Sequence, residues 1–315
     1  MSSRPLLSGL VAHWRTERSL AALLDAWPQD ARSELIVVDN GSDPGRLPPP
    51  PPHVRWIDPG SNLGFAGATN RALAAARAPI VLLINPDARP CAGALDAILA
   101  GFEAHPEAAG IVPALESPDG ASQSAWQLRP LPTALSCLRQ LCLLPGFAGP
   151  AEAPPAGARV EQPAAAALAL RREVLEQVGA LDEGFYPAWF EDVDLARRLR
   201  AHDAPLLYWP AARFLHEQGA SVEGLGYRQF LWLYSRGLRR YLSRHHRPLH
   251  LLMPATLPLA ALARLVTLPL VAPRRARNRR EAALGLMATA AGALTAFSRP
   301  RDLEQRWRPP PELGR

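Results

Sequence analysis

The chain has 315 residues, of which 48% are apolar and 20% charged, and a formal net charge of +6. That is enough apolar side chain for one sizeable core with an appendage, and it excludes an intrinsically disordered chain. All 35 basic residues are arginine, and the positive balance suits an anionic partner such as a nucleotide or a membrane surface. Three cysteines, Cys91, Cys137 and Cys142, show neither zinc-ligand spacing nor a pairing pattern, which excludes a zinc module and points to a reducing compartment. Residues 1–10 lack the long apolar run and small-residue cleavage site of a secretory signal, so a cytoplasmic catalytic part is expected.

In chain order, Leu6 to Ala12 reads as a strand ending at His13-Trp14, and Thr16 to Trp27 as an amphipathic helix with Leu20, Leu23, Leu24 and Trp27 on one face. Glu34 to Val38 is a second strand, stopped by Asp39-Asn40-Gly41-Ser42-Asp43. Strand, helix and strand at this spacing predict a βαβ unit and a largely parallel sheet. The proline run Pro48 to Pro52 suits a surface polyproline loop. Val54 to Ile57 is a third strand, followed by a glycine-containing turn and an alanine-rich helix to about Arg77. Ile80 to Ile84, continuous and apolar, predicts a strand buried on both faces and ending at Asn85-Pro86-Asp87. A helix over Ala92 to His105 and a strand over Gly110 to Ala114 follow. The proline-punctuated Ala125 to Ala158 fits either a loop or a pair of short helices. Ala164 to Leu170 is apolar, Arg171 to Val178 helical, and Pro205 to Trp209 a further strand.

Three carboxylates within four residues, Glu191, Asp192 and Asp194, open a helical pattern after Trp189-Phe190. Asp194 can pair with Arg198 one turn on. A helix dipole favours negative charge in the first turn and holds a carboxylate ionised there, as a general base requires. An ordinary acidic helix start gives the same pattern. Asp39 at a strand end suits a nucleobase or ribose, and equally a turn cap. Gly64 and Gly67 allow close backbone approach to phosphate, but the full GxGxxG dinucleotide fingerprint is absent, which counts against a nicotinamide enzyme. Asp87 at a strand end can hold a hard divalent cation, or close a turn. His216 is either a ligand or a structural hydrogen-bonder. In open parallel sheets ligands bind beyond the carboxyl ends of the strands, so these residues could converge on one cleft.

From Tyr227 onward arginines accompany apolar residues at helical spacing. Leu249 to Val271 is strongly apolar but holds Arg264 and three prolines, Pro254, Pro258 and Pro269, which predict a broken, interfacial segment rather than a spanning helix. Arg274, Arg275, Arg277, Arg279 and Arg280 then suit an anionic leaflet, while the lack of interleaved aromatics argues against nucleic acid. An ordinary helical subdomain is the competing reading.

Taken in order, Val37 to Asp43, then Asn62-Leu63-Gly64-Phe65-Ala66-Gly67 with Asn70, Leu83 to Asp87, Phe190 to Leu195 with Arg198, and His216 with Gly219 and Ser221 resemble the family 2 glycosyltransferases, in a rhamnosyltransferase-like branch. The resemblance covers about residues 6–241 and implies an α/β GT-A fold and an inverting, metal-dependent transfer from a nucleotide-activated sugar. It places Asp192 as the base with Glu191 beside it. Asp39, Asn62, Gly64, Phe65, Asn70 and Asn85 fall on the nucleotide and donor side, and Asp87 and His216 on Mg²⁺ or Mn²⁺. It further implies a UDP-, dTDP- or GDP-sugar donor and a glycolipid or polysaccharide acceptor, with the enzyme peripheral on the cytoplasmic face of the inner membrane. The expected division is a GT-A domain over 1–226 and a helical, membrane-associated tail over 227–315. Two departures stand out: Ala12-His13-Trp14-Arg15 replaces the usual end of the first strand, and Val160 to Ala166 replaces a segment that usually carries a glycine. Two rivals are a sugar nucleotidyltransferase, disfavoured because Ala12 to Arg18 lacks glycine, and a degenerate scaffold in a polysaccharide-assembly complex, disfavoured by the intact Asp87, Asp192 and His216.

Overall fold

The computed structural model describes residues 4–41, 51, 53–144, 149–217, 226–269 and 278–294. Ser42 and Asp43, most of the Pro48 to Pro52 run, Gly219, Ser221, and Arg274, Arg275 and Arg277 lie outside them. The chain forms two compact units. The first comprises Met1–Leu131, Ala148–Glu183 and Glu191–Ala220; the second comprises Pro132–Phe147, Gly184–Phe190 and Ser221–Arg315. The second unit therefore draws on two segments upstream of residue 227.

In the first unit, β1 (Leu7–His13), α1 (Glu17–Ala26), β2 (Ser33–Asp39), β3 (Val54–Ile57), α2 (Gly64–Ala75) and β4 (Ile80–Ile84) follow one another as strand–helix alternations. Then come β5 (Ala88–Pro90), α3 (Ala94–Ala104), β6 (Gly110–Glu116), the single-turn α4 (Ser124–Gln127) and β7 (Leu128–Arg129). In the second unit lies α5 (Ala134–Leu141). The first unit resumes with β8 (Arg159–Val160), β9 (Gln162–Pro163), β10 (Ala167–Arg171), α6 (Arg172–Val178), α7 (Glu191–Ala201) and β11 (Leu206–His216).

Nine strands make one sheet in the order β3-β2-β1-β4-β10-β6-β11-β5, with β8 paired to β11. β3, β2, β1, β4, β6 and β11 run one way, and β10, β5 and β8 the other. The mainly parallel, mixed sheet follows from the apolar runs: β4 is buried along its whole length, as a strand covered on both faces must be. One core layer joins Leu7, Val11, Leu20, Leu23 and Leu82 with Phe102, Ile111 and Phe214; the other joins Leu10, Ile36, Val38 and Leu83 with Leu168, Leu195 and Leu199. Gly110 is wedged between β10 and β11, where an added Cβ would lie 2.6 Å from Leu206 and 2.8 Å from the Ala169 carbonyl.

β11 is longer than the strand expected over 205–209. Its pairing with β6 shifts between Trp209 and Arg213, so residues 210–212 have no partner on β6 and the strand runs on to His216. Pro210 reads locally as a stop, whereas β6 and β5 supply long-range partners that carry the strand past it.

The second unit contains α5 and three helices, α8 (Tyr227–His245), α9 (Arg247–Thr267) and α10 (Arg279–Leu294). Phe190 packs on Tyr234 and Tyr241, with ring centroids 5.0 and 5.7 Å apart, and Trp189 meets Phe230 edge-on at 5.1 Å. These contacts hold Trp189 and Phe190 at φ 78° and 74°, which side chains with a Cβ rarely adopt. The expected break at Pro254 and Pro258 does not occur, because α9 runs through both. Four residues apart, the two prolines disturb only one side of the helix. Met253, Leu257 and Ala261, buried at the same spacing, anchor another side within the unit.

Candidate functional site

Two clusters form at the carboxyl ends of the strands in the first unit, and one short segment touches both. The first begins where β4 ends. The Asn85 N–H donates to the Ala166 carbonyl (2.9 Å) and the Ala88 N–H to the Asn85 carbonyl (3.1 Å), so Asn85-Pro86-Asp87 forms a tight turn into β5. β5 pairs with the end of β11, His216 opposite Ala88, and the Glu217 N–H bonds the Asp87 carbonyl at 3.1 Å. This register sets His216 Nε2 3.4 Å from Asp87 Oδ1, with both side chains almost fully buried.

The tautomer of His216 follows from its neighbour. Gln123 Nε2 donates to the His216 carbonyl (2.8 Å), which orients the amide so that its Oε1 faces His216 Nδ1 at 2.9 Å. Nδ1 therefore carries a proton, and in the neutral ring Nε2 presents a lone pair to Asp87. Among the described residues, the buried Asp87 Oδ1 has no hydrogen-bond partner. A carboxylate oxygen and an imidazole lone pair facing each other at that distance repel unless a proton or a metal cation lies between them. A backbone or amide carbonyl on the other ring nitrogen is the usual support of a metal-binding histidine. The pair thus fits a divalent cation, with oxygen and nitrogen donors compatible with Mn²⁺. Among the described residues no group of three or more His, Cys, Asp or Glu side chains is arranged to hold a metal, so the remaining ligands would come from water and diphosphate. Trp126, partly exposed on α4, stacks on the His216 ring at 5.2 Å.

The second cluster is the start of α7. Asp192 is partly buried, and the Val193 N–H donates to its Oδ1 at 2.8 Å. Burial pushes the Asp192 carboxyl above its ordinary value; the nearby Arg129 and the N–H groups of Val193, Ala165 and Asp192 itself work in the opposite direction. Against the expectation that the helix start favours the charged form, desolvation outweighs the first-turn amides. A raised pKa brings the group nearer the range of an effective general base. Glu191 beside it is buried. Asp194, with no exposed surface, pairs with Arg198 at 2.8 Å across the turn, as the spacing predicted. Arg198 also donates to the carbonyls of Val178 (2.8 Å), Gly179 (2.6 Å) and Ala180 (2.8 Å), tying the loop after α6 to α7.

Segment 123–129 joins the two clusters. Gln123 and Trp126 hold His216, Gln127 bonds the Pro113 carbonyl (2.7 Å) and the Leu115 N–H (3.2 Å), and Arg129 acts on Asp192. Nothing in the local sequence marks Gln123, Trp126 or Arg129; their roles come from contacts with distant parts of the chain.

On the other side of the sheet, Asp39 is buried at the end of β2, level with His13 at the end of β1. Burial lowers the pKa of His13 and the negative charges of Asp39 and Glu17 oppose it; its Nδ1 meets Thr16 Oγ1 at 3.0 Å, while its buried Nε2 has no hydrogen-bond partner among the described residues. Asn40 bridges the Leu63 N–H (3.0 Å) and the Gly64 carbonyl (3.1 Å), and Asn62 Oδ1 accepts from the Gly64 N–H at 2.8 Å. Gly64 opens α2 at φ 73° with Phe65 half-buried behind it. Asn70 lies elsewhere: its amide bonds both backbone groups of Leu181 (2.8 and 3.1 Å) and Glu183 Oε1 (3.0 Å), so it clamps a loop of the protein. Gly67 answers to packing too, since a Cβ there would lie 2.9 Å from that of Leu63.

Residues 15–150 match the family model described as Glycosyl transferase family 2. Over 233 residues the chain is 29% identical to N-acetylglucosaminyl-diphospho-decaprenol L-rhamnosyltransferase of Mycobacterium tuberculosis, covering 65% of this chain and 73% of that protein. Both similarities are to glycosyltransferases. This glycosyltransferase is similar in fold to the mannosyltransferase PcManGT of Pyrobaculum calidifontis, solved with GDP-Man and Mn²⁺, at a TM-score of 0.52 and 15% identity over 94% of this chain and 88% of that one. It is also similar to GalNAc-T7, solved with UDP, GalNAc and Mn²⁺, at a TM-score of 0.50 and 14% identity; 77% of this chain matches about half (48%) of that one. The glycosyltransferase therefore has the GT-A fold expected from its motifs.

Proposed function

We propose that this glycosyltransferase is an inverting, divalent-metal-dependent enzyme. It would move a sugar, rhamnose foremost, from a nucleoside-diphosphate donor to a hydroxyl of a lipid-linked glycan at the cytoplasmic face of a membrane. The observation that carries the reading is the buried Asp87–His216 pair at the strand ends, with an acceptor carboxylate, Asp192, at the start of a helix in the same unit. Asp192 takes the proton of the acceptor hydroxyl as its oxygen bonds the anomeric carbon; the bond to the diphosphate breaks, and its electron pair leaves with the nucleotide. Asp87 and His216 would hold a cation, which supplies neutralisation of the departing diphosphate. Asp39, level with His13 at the end of β2, would meet the nucleoside. The lipid-linked acceptor is supported by the name of the mycobacterial relative.

The membrane part rests on the second unit. α9 is long and apolar enough to cross a membrane by length and composition, and only 17% of its most apolar window is buried. Leu251, Leu252, Leu259, Leu262 and Val266 are exposed along it, while Met253, Leu257 and Ala261 stay against the protein. A helix anchored on one side and apolar on the other suits a position in the plane of the interface, with Arg247 and Arg264 available to anionic headgroups.

Calorimetric titration of UDP, dTDP and GDP, each with and without Mn²⁺, tests the donor site in the wild type and in Asp87→Ala. Metal-dependent binding of one nucleotide, lost in the variant, is the expected result. Binding of none, or binding indifferent to Mn²⁺ and to Asp87, would overturn it in favour of a scaffold or of a metal-independent enzyme.

A further inference from the structure

Gln123 has no place in the sequence motifs, yet the turn that carries it is fastened to β6 and reaches across to the end of β11. After β6 the chain reverses: the Gly120 N–H donates to the Ser117 carbonyl (2.8 Å) and the Ser117 N–H to the Ala121 carbonyl (2.9 Å), with Gly120 at φ 85°. On the way back the Gln123 N–H donates to the Leu115 carbonyl at 2.9 Å, and the buried Gln127 amide takes the Pro113 carbonyl and the Leu115 N–H. α4 is therefore held at one height on β6, whose Glu116 is level with Leu215, the residue before His216. Gln123 stands just ahead of α4, but its side chain makes no capping bond among the described residues. Both ends of its amide go to one histidine instead: Nε2 donates to the His216 carbonyl at 2.8 Å, and Oε1 faces His216 Nδ1 at 2.9 Å. Trp126 covers a face of the same imidazole, its ring inclined by 28°. Held by its backbone, its Nδ1 edge and one face, the buried ring keeps Nε2 3.4 Å from Asp87 Oδ1.

We infer that Gln123 is a positioning residue for the cation site and sets its preference for Mn²⁺ over Mg²⁺. The inference rests on the reading of Asp87 and His216 as ligands of that cation. Mg²⁺ takes oxygen ligands and gives up its waters reluctantly, whereas an imidazole nitrogen is a ligand for first-row transition ions. Carboxylate, diphosphate and water oxygens serve both ions, so discrimination between them lies with the Nε2 lone pair of His216. That lone pair is aimed at Asp87 by the acceptor that Gln123 Oε1 presents to Nδ1. Without that acceptor the ring can place its proton on Nε2 instead. The N–H would then bond Asp87 Oδ1, and the pair would close on itself in place of a metal. Gln123 thus keeps the pair open to a cation and makes its nitrogen count in the choice of one.

The test is calorimetric titration of Mn²⁺ and of Mg²⁺ into the full-length enzyme in the presence of dTDP, UDP or GDP. Wild type, Gln123→Met, Gln123→Glu and His216→Ala are compared, with circular dichroism as the check on folding. The wild type is expected to bind Mn²⁺ more tightly than Mg²⁺. Methionine has the length of glutamine without its donor or acceptor, and Gln123→Met should lose about 10–100-fold in Mn²⁺ affinity, the usual cost of removing such a support. Its Mg²⁺ affinity should change little, so the ratio of the two falls towards that of His216→Ala. Gln123→Glu still presents an oxygen to Nδ1 and should keep most of the wild-type ratio. A merely structural Gln123 would weaken both ions in proportion. An unchanged ratio in folded Gln123→Met, or equal affinity for the two ions in the wild type, would overturn the inference. Should Gln123→Met fail to fold, Gln123→Ala gives the same comparison. A wild type whose nucleotide binding is indifferent to both cations, or a His216→Ala variant with the wild-type ratio, would remove the metal reading of the pair and the inference with it. A ratio altered in His216→Ala but not in Gln123→Met would remove only the role of Gln123.

Discussion

Arg198 offers the sharpest test of how the acidic helix is held. In the wild type its Nε meets Asp194 at 2.8 Å, and its two terminal nitrogens take three successive carbonyls, those of Val178, Gly179 and Ala180. Asp194 has no exposed surface and Arg198 only 17%. Arg198→Ala removes the cation from a buried carboxylate and leaves three carbonyls without their shared donor. Breaking a buried pair from one side costs about 3–5 kcal/mol. For a cooperative unit of about 150–250 residues, one kcal/mol shifts Tm by about 2–4 °C, so the fall should be roughly 6–20 °C. Arg198→Lys keeps the charge, but a point ammonium cannot span four acceptors, and its Tm should lie between the two. Thermal unfolding followed by circular dichroism measures all three. A fall under about 2 °C in Arg198→Ala, or a lysine variant as stable as wild type, would refute the claim that the fork fastens α7 to the loop after α6.

Two further outcomes follow from other parts of the molecule. Burial raises the pKa of Glu34, but the Ser8 hydroxyl at 2.6 Å, the Arg77 N–H at 2.7 Å and the Arg77 guanidinium outweigh it and bring the carboxyl below its ordinary 4.5. Its stabilisation is therefore present above that value and lost as pH falls through the lowered one; urea unfolding from pH 6 to 3 should show a shallower acid decline in Glu34→Gln than in wild type. On α9, Leu259→Asp with Leu262→Asp should weaken co-sedimentation with vesicles of phosphatidylglycerol severalfold while leaving nucleotide binding intact; unchanged sedimentation would remove this face from the membrane contact.

Much of the first unit was legible because its strands are short apolar runs that end at polar turns. β1, β2, β3 and β4 fall where such runs predict them, and Asp39 and Asp87 sit at their ends because apolar runs stop where chemistry begins. The Asp194–Arg198 pair was equally local, set by helical spacing alone. What escaped was non-local. The strand expected over 205–209 runs on past Pro210 to His216, and only its pairing with β5 and β6 shows it. Gln123, Trp126 and Arg129 lie in a stretch with no periodicity, and their partners are far along the chain, 93 residues between Gln123 and His216. The pKa of Asp192 was misjudged for the same reason: the helix start is visible in sequence, but the burial around it is assembled from β7 and β9. Pro254 and Pro258 were read as breaks from their chemistry, whereas packing along Met253, Leu257 and Ala261 keeps the helix whole.

The three residues of β11 without a partner on β6 have a consequence for how this chain can vary. Side chains alternate across a strand, and beyond the irregularity Ala212, Phe214 and His216 all face the interior. Loss or gain of a single residue between Trp209 and Arg213 would reverse that parity and turn the imidazole away from Asp87, even with every motif intact. Changes by two would preserve it. Length variation at this spot is thus quantised, and a homologue differing there by an odd number of residues would need a second compensating irregularity to keep the same histidine in use.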